Sequence, residues 1–239
     1  MNVAQVRGGK FYKAFSNLFY MLLRNTRLKE KIELLYWKLQ RKKEGTLTNH
    51  HYEYFFTTYF GFQKSDYSGK KVLDIGCGPR GSLEWVDCAG ERIGLDPLAN
   101  EYLKLGGNVH QMTYVAGVSE NIPFPDEHFD FVSSFNSLDH VDDLAKSISE
   151  IKRILKPNGY FLLIADIHDH PTLTEPSAFS WDIVPRFADE LEIVRENHLE
   201  GHQLYKSIRA GIQFNHNNPK PRYGVLTFLA KKQTKISKH

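Results

Sequence analysis

Apolar residues over the first 43 positions recur at helical intervals; from Gly69 onward, short apolar runs alternate with helical stretches. Phe11, Phe15, Leu18, Phe19 and Leu22 step by three and four, as do Leu28, Ile32, Leu35 and Leu39. Two helices parted at Asn25-Thr26 are predicted. A turn at "EGTLT" and a short aromatic helix in "NHHYEYFFTTYFG", ending at Gly61, complete a helical N-terminal extension over residues 1–60. Beyond it, residues 71–75, "RIGLD", "MTYVAG", "FDFVSSF" and "YFLLIAD" read as strands, the last too continuously apolar to lie on a surface. Helices are predicted in "SLEWVDCA" and "LANEYLKLG", and Val141, Leu144, Ile148, Ile151 and Leu155 trace another, which "KPNG" ends. "SAFSWDIVPRFAD" contains a further helix, and "ELEIVREN" and "YGVLTFLAKK" are two final strands. Alternating β and α units over residues 61–239 imply an α/β domain, its mostly parallel sheet covered by helices on both faces.

Ligands on such sheets bind outside the carboxyl ends of the strands, where Asp74, Asp96, Gly117, Asn136 and Asp166 fall. The first strand runs into Gly76, Gly78 and Gly81, spaced as in a dinucleotide fingerprint. Such glycines make a tight turn, let main chain approach a ligand and expose N–H groups, so they suit more than one ligand. Asp96, 20 residues after Gly76, can accept from a ribose diol in either a nicotinamide or an adenosyl ligand. Asp74 separates the two. A carboxylate two residues before the first glycine repels a pyrophosphate and welcomes an amino group and a sulfonium. S-adenosylmethionine has both; a nicotinamide-dependent reductase or epimerase is the rival.

Composition adds bounds. The chain has 239 residues, 41% hydrophobic and 25% charged, ordinary for a globular protein with a sizeable core. Two cysteines, Cys77 and Cys88, form no disulfide framework or metal cluster and point to a reducing, cytoplasmic setting. Cys77 reads as a small filler within the loop rather than a nucleophile. No run approaches a membrane span, and "AFSNLFYMLL" is interrupted by Ser16, Asn17 and Tyr20, so secretion is rejected. The net charge of +3 hides an asymmetry: residues 1–44 carry 11 Lys and Arg against 3 Asp and Glu, a net of +8. The rest carries −5.

The stretches "VLDIGCGPRG", "IGLDP", "AGVSENIPFPDEHFDFVSSFNSLDHVDD" and "EIKRILKPNGYFLLIAD", in that order, resemble the class I S-adenosylmethionine-dependent methyltransferases, chiefly those acting on small molecules, lipids and sugars. The resemblance covers about residues 69–167. It implies a Rossmann-like seven-stranded sheet, with the two final strands supplying the sixth and an antiparallel seventh. It implies S-adenosylmethionine as cofactor and S-adenosylhomocysteine as product. Carried onto this chain, it gives Asp74, Gly76, Cys77 and Gly78 to the methionine end, Asp96 and Pro97 to the ribose, Ser119 and Glu120 to the adenine, and Asn136 to the methionine amino group. One position departs. Where the family often has an aspartate to accept from adenine, this chain has Val118. Arg80 is also unusual in a loop of small residues, and suits either the cofactor carboxylate or solvent.

A hydroxyl acceptor needs a base, and histidine suits neutral pH. His140 is that candidate, with Asp139 as its orienter. The favoured acceptor is a hydroxyl of a sugar or glycolipid precursor; a lipid or quinone precursor, an amine, and a non-catalytic S-adenosylmethionine-binding adaptor are the alternatives. "DIHDH" brings Asp166, His168 and His170 to the same rim, a weak metal set, and no metal is expected. The fourth strand reads "FNSL", not the motif of amino-methylating DNA enzymes, so no nucleic acid partner is expected. Residues 49–60 are expected to close over the cofactor. Residues 11–43 are expected to form a basic, apolar-backed surface for a homodimer or an anionic membrane.

Overall fold

A computed structural model describes residues 26–167, 179–220 and 222–234. The helices are α1 (Thr26–Glu44), α2 (Tyr52–Phe56), α3 (Ala99–Lys104), α4 (Leu144–Ile154) and α5 (Leu204–Ala210). The strands are β1 (Lys71–Ile75), β2 (Glu91–Asp96), β3 (Thr113–Ala116), β4 (Phe129–Phe135), β5 (Leu155–Ile167), β6 (Leu191–Glu200) and β7 (Gly224–Lys232). They form one seven-stranded sheet in the order β3-β2-β1-β4-β5-β7-β6. Only the pairings of β7, with β5 and with β6, are antiparallel. The order reverses between β1 and β4, which places a ligand crevice outside their carboxyl ends.

Both faces of the sheet are covered, so the central strands are apolar almost throughout. On one face Ile148, Ile151 and Ile154 of α4 pack with Val132, Phe161 and Leu163. Asp143 starts that helix by accepting from the Lys146 N–H at 3.0 Å. On the other face Phe55 and Phe56 of α2, with Phe60 and Tyr67, pack on Phe131, Phe135 and Leu162. Tyr59 and Thr227 hydroxyls meet at 2.7 Å, tying this segment to β7. Phe55, Phe56 and Phe60 thus pack with the sheet rather than apart from it. Helix α1 roofs the crevice, and His51 and Tyr52 of the expected cover line it as well.

Other expectations also change. "SLEWVDCA" is not a helix: only 15 residues link β1 to β2, and six make the glycine loop. The rest fold as i→i+3 turns that bury Leu83 and Val86. "KPNG" does not lie outside the sheet but forms an irregular stretch at the start of β5, where the register against β4 shifts and Asn158 takes φ 64°. "SAFSWDIVPRFAD" contributes a 3₁₀ turn at Trp181–Arg186, with Pro185 inside it. Helix α5 was not expected at all. The first predicted helix, from Phe11, lies outside the described residues, as do His168 and His170.

Candidate functional site

The floor is built from four strand ends. After β1 the chain turns at Gly76, with φ 70°. A Cβ there would stand 2.2 Å from Ser137 Cβ, so a side chain is excluded by both conformation and contact. Ser137 belongs to the turn after β4, and its hydroxyl donates to the Ile75 carbonyl at 2.7 Å. The two loops are thus locked together at the switch point. Asp74 lies beneath them. Its carboxylate accepts from Ser82 Oγ at 2.5 Å and Ser133 Oγ at 2.6 Å, and it lines neither of the cavities described below. Burial pushes its pKa up to about 6.

Asp96, at the end of β2, does reach the wall. It accepts from the Leu98 N–H at 2.9 Å and the Gly78 N–H at 3.2 Å, joining the glycine loop to the turn before α3. Burial raises its pKa to about 6 against the pull of those two N–H groups. Pro97 and Val118 line the same wall, and Val118 is exposed to the cavity where the resemblance led to an aspartate. Ser119 and Glu120 line it too, yet both are engaged in structure. Glu120 accepts from the Asp142 and Asp143 N–H groups at 2.8 and 3.1 Å, at the start of α4. The Ser119 and Ser147 hydroxyls meet at 2.8 Å.

After β4, Asn136 adopts φ 56°, a left-handed conformation tolerated by asparagine, and its N–H donates to the Ile164 carbonyl at 2.7 Å. His140 follows in a 3₁₀ turn, with Nε2 3.7 Å from Oδ1 of the fully buried Asp139. Asp139 stands behind the histidine and does not line a cavity.

The roof is α1. Lys29 donates to Asp142 at 2.5 Å near one end, and Arg80 makes two bonds to Glu44, at 2.8 and 2.6 Å, at the other. Arg80 also lies 5.3 Å from the Trp37 ring, so this unusual loop arginine fastens the roof. Two cavities meet beneath it, sharing Glu33, Gly76, Asp96, Asn136 and His140. The smaller, of about 180 Å³, runs along Asp96, Leu98, Val118 and Ser119. The larger, of about 780 Å³, is walled by Trp37, Tyr52, Phe135, Leu204 and Tyr205, with Cys77 and Gly78 at its base. Ligand clefts span roughly 300–1,000 Å³, so the pair has room for a cofactor and an acceptor side by side. His51 lines the larger cavity; burial, then the nearby Arg80 charge, lowers its pKa to about 4, leaving a neutral imidazole.

Sequence reasoning missed Trp37 and Tyr205 as wall residues. Tyr205 enters on α5, whose only signals were the Leu204–Ile208 spacing and Gly211, which caps the helix at φ 65°. Among the described residues, no three His, Cys, Asp or Glu side chains gather as a metal set. The Asp166, His168 and His170 set has two members outside those residues.

A doubly wound α/β sheet with a glycine turn, an acidic second strand end and a joined cavity at the switch point defines a nucleoside-cofactor domain. Residues 73–163 match the family model described as "Methyltransferase domain". An uncharacterized methyltransferase, YcgJ of Bacillus subtilis, is 29% identical over 133 residues, 53% of this chain and 48% of that protein. Chloroplastic tocopherol O-methyltransferase of Arabidopsis thaliana is 29% identical over 123 residues, 47% and 35% respectively. Demethylmenaquinone methyltransferase of Staphylococcus saprophyticus is 32% identical over 108 residues, 41% and 45%. The alignments span about half or less of these relatives. In fold, the YcgJ crystal structure matches with a TM-score of 0.52 at 19% identity, covering 74% of this chain and 99% of that one. The [4+2]-cyclase SpnF matches with 0.53 at 17%, covering 72% and 79%. Over residues 73–163 the chain is thus similar to methyltransferase domains, and its fold is that of S-adenosylmethionine-dependent methyltransferase structures. That similarity implies S-adenosylmethionine, rather than a nicotinamide, as the ligand of the glycine loop.

Proposed function

We propose that this chain is an enzyme that moves a methyl group from S-adenosylmethionine to a hydroxyl of a small, largely apolar acceptor. The observation that carries the reading is the junction of the two cavities over Gly76, Asn136 and His140. The smaller cavity fits the adenosine end. Leu95, Leu98 and Val118 offer apolar surface to a purine, and the Asp96 carboxylate is placed to accept from ribose hydroxyls. Ser119 and Glu120 hold that wall in shape. Gly76, Cys77, Gly78 and Asn136 would hold the amino-acid end, and Asp74 would act from behind by fixing the loop. When bound, S-adenosylmethionine supplies an electrophilic methyl group on a sulfonium. His140 would take the acceptor's hydroxyl proton as the methyl–oxygen bond forms, and buried Asp139 would stabilise the imidazolium. Helix α1 would exclude water from the pair.

The larger cavity's aromatic walls favour a ring-bearing, lipid- or quinone-type acceptor over the sugar hydroxyl read from the sequence. Two of the relatives are named for tocopherol and demethylmenaquinone, which supports the same choice. Because a cyclase shares the fold, the fold alone does not carry the reaction. His140→Ala should lower turnover by about 10²–10⁴ while S-adenosylhomocysteine affinity, measured by calorimetry, stays within about threefold. Unchanged turnover would remove His140 from the mechanism. A parallel assay of S-adenosylhomocysteine release with a quinol and with a nucleotide sugar tests the acceptor, and release with the sugar alone would overturn it. Tight S-adenosylhomocysteine binding without release on any acceptor would favour the adaptor.

A further inference from the structure

Helix α1 is amphipathic in the reverse sense of a core-packed helix. Leu28, Ile32, Leu35 and Leu39 form a stripe at four- and three-residue steps and are 39, 37, 57 and 57% exposed; Ile32, at its edge, also lines the larger cavity, whereas Leu28, Leu35 and Leu39 line neither. The opposite side carries Glu30, Glu33 and Trp37 toward the cavities. At 100° per residue, Lys31, Lys38 and Lys42 fall along one border of the apolar stripe and Lys43 along the other, all of them exposed. The one exposed carboxylate of the helix, Glu44, is held by Arg80. Acids therefore face inward, and leucines bordered by lysines face outward.

We propose that this outer face of α1 docks on an anionic lipid surface. An amphipathic helix with leucines on one side and lysines at their borders is the form that lies in a headgroup layer. Charge decides among the occupants. Residues 1–25 of this chain carry Arg7, Lys10, Lys13 and Arg24 and no acid, so laying them along a lysine-bordered stripe would bring like charges together. A second copy of the same face would do the same. An anionic bilayer pairs with the lysines and buries the leucines at once. No described helix is long and apolar enough to cross a membrane. Docking in this way would set the roof of the cavities against the bilayer. The proposal stands on the outer face alone and does not depend on the acceptor read for the inner one.

The test uses the full chain and vesicles of phosphatidylcholine, with and without about one-third phosphatidylglycerol. Binding to the anionic vesicles should be at least about ten-fold tighter and should weaken as salt rises from 50 to about 500 mM. Leu35→Ser with Leu39→Ser, two residues that line neither cavity, should lose most of that binding while S-adenosylhomocysteine affinity and unfolding temperature are kept. Equal binding to both vesicles, or full binding by the double variant, would overturn the proposal. A Leu39→Cys chain should react quickly with a maleimide in solution and several-fold more slowly on anionic vesicles. Slow reaction already in solution would mean that protein, from this chain or a second copy, covers the stripe, and would also overturn it.

Discussion

The floor of the site is made of strand ends whose side chains are buried and bonded in pairs across the sheet, whereas the roof is a helix that turns its apolar stripe outward. On the floor, Asp74 reaches Ser133, 59 residues away, and Ser137 reaches Ile75, 62 residues away. The first contact joins β4 to β1 and the second joins the turn after β4 to β1. The roof is fastened at its ends by Lys29–Asp142 and Arg80–Glu44, whose acidic partners are 52 and 28% exposed. Pairs of that kind contribute about 0–1 kcal/mol each. A rigid floor can hold a reacting geometry, and a weakly fastened roof can open for ligand exchange at little cost.

The largest expected effect is on the floor. Gly76→Ala forces a Cβ onto Ser137 and a left-handed backbone onto alanine. The conformational cost of about 1–2 kcal/mol adds to an overpacking cost of about 1–3 kcal/mol. Urea unfolding should show a loss within about 2–5 kcal/mol, and calorimetry should show cofactor binding falling with it. Adding Ser137→Gly removes the atoms in the way, so the double variant should cost less than the two singles together. Strict additivity would mean that the two loops are not locked as described.

The next effect is a pH dependence. Asp74 and Asp96 titrate near 6 in the fold against an ordinary 3.8. A raised carboxyl pKa adds stability that is full below about pH 4 and is lost as pH rises through about 6. Lowered carboxylates such as Glu150 and Asp130 pull the other way, so the informative quantity is a difference. Between pH 4 and 6.5 the gap in unfolding free energy between the parent and Asp96→Asn should shift against the parent, by at most about 3 kcal/mol. Affinity for S-adenosylmethionine should climb across the same window, because ionised carboxylates accept hydroxyl hydrogen bonds better and favour a cation. A flat affinity profile would take Asp96 out of the binding wall.

This contrast also separates what the sequence makes legible from what it hides. Strand ends are legible because the apolar run and the polar residue that stops it are adjacent in the chain, as in "KVLDIG" and "RIGLD". The direction in which those residues point is not. Asp74 turns to serines 8 and 59 positions away, and Glu120 turns to N–H groups at the start of a helix more than 20 residues on. The turn at Ser82–Ala89 was misread because residue type favours a helix there, while the short crossover leaves no length for one. Helix α1 was legible as a helix, but periodicity does not say which side faces the domain; in the structure the ion pairs Lys29–Asp142 and Glu44–Arg80 fasten the side opposite the leucines.

The smallest expected effect on stability comes from the roof. In Lys29→Ala and Arg80→Ala, the loss of each ion pair should change the unfolding free energy by no more than about 1 kcal/mol. Arg80→Ala also loses the cation–π contact with Trp37, about 0.5–1 kcal/mol, so its total can reach about 2 kcal/mol. Local opening should respond more than global unfolding. Amide hydrogens of residues 29–43 should exchange several-fold faster in either variant, while those of β1, β4 and β5 keep their rates. High salt should reproduce part of the change in the parent, because a half-exposed ion pair is screened over about 8–10 Å at physiological ionic strength. S-adenosylhomocysteine should dissociate faster from both variants if the roof gates the cavities. A global loss of several kcal/mol in either one would instead make α1 part of the same cooperative core as the strands. Unchanged exchange along α1 would mean that its fastening lies in the Trp37 contacts beneath it, and not in the two ion pairs.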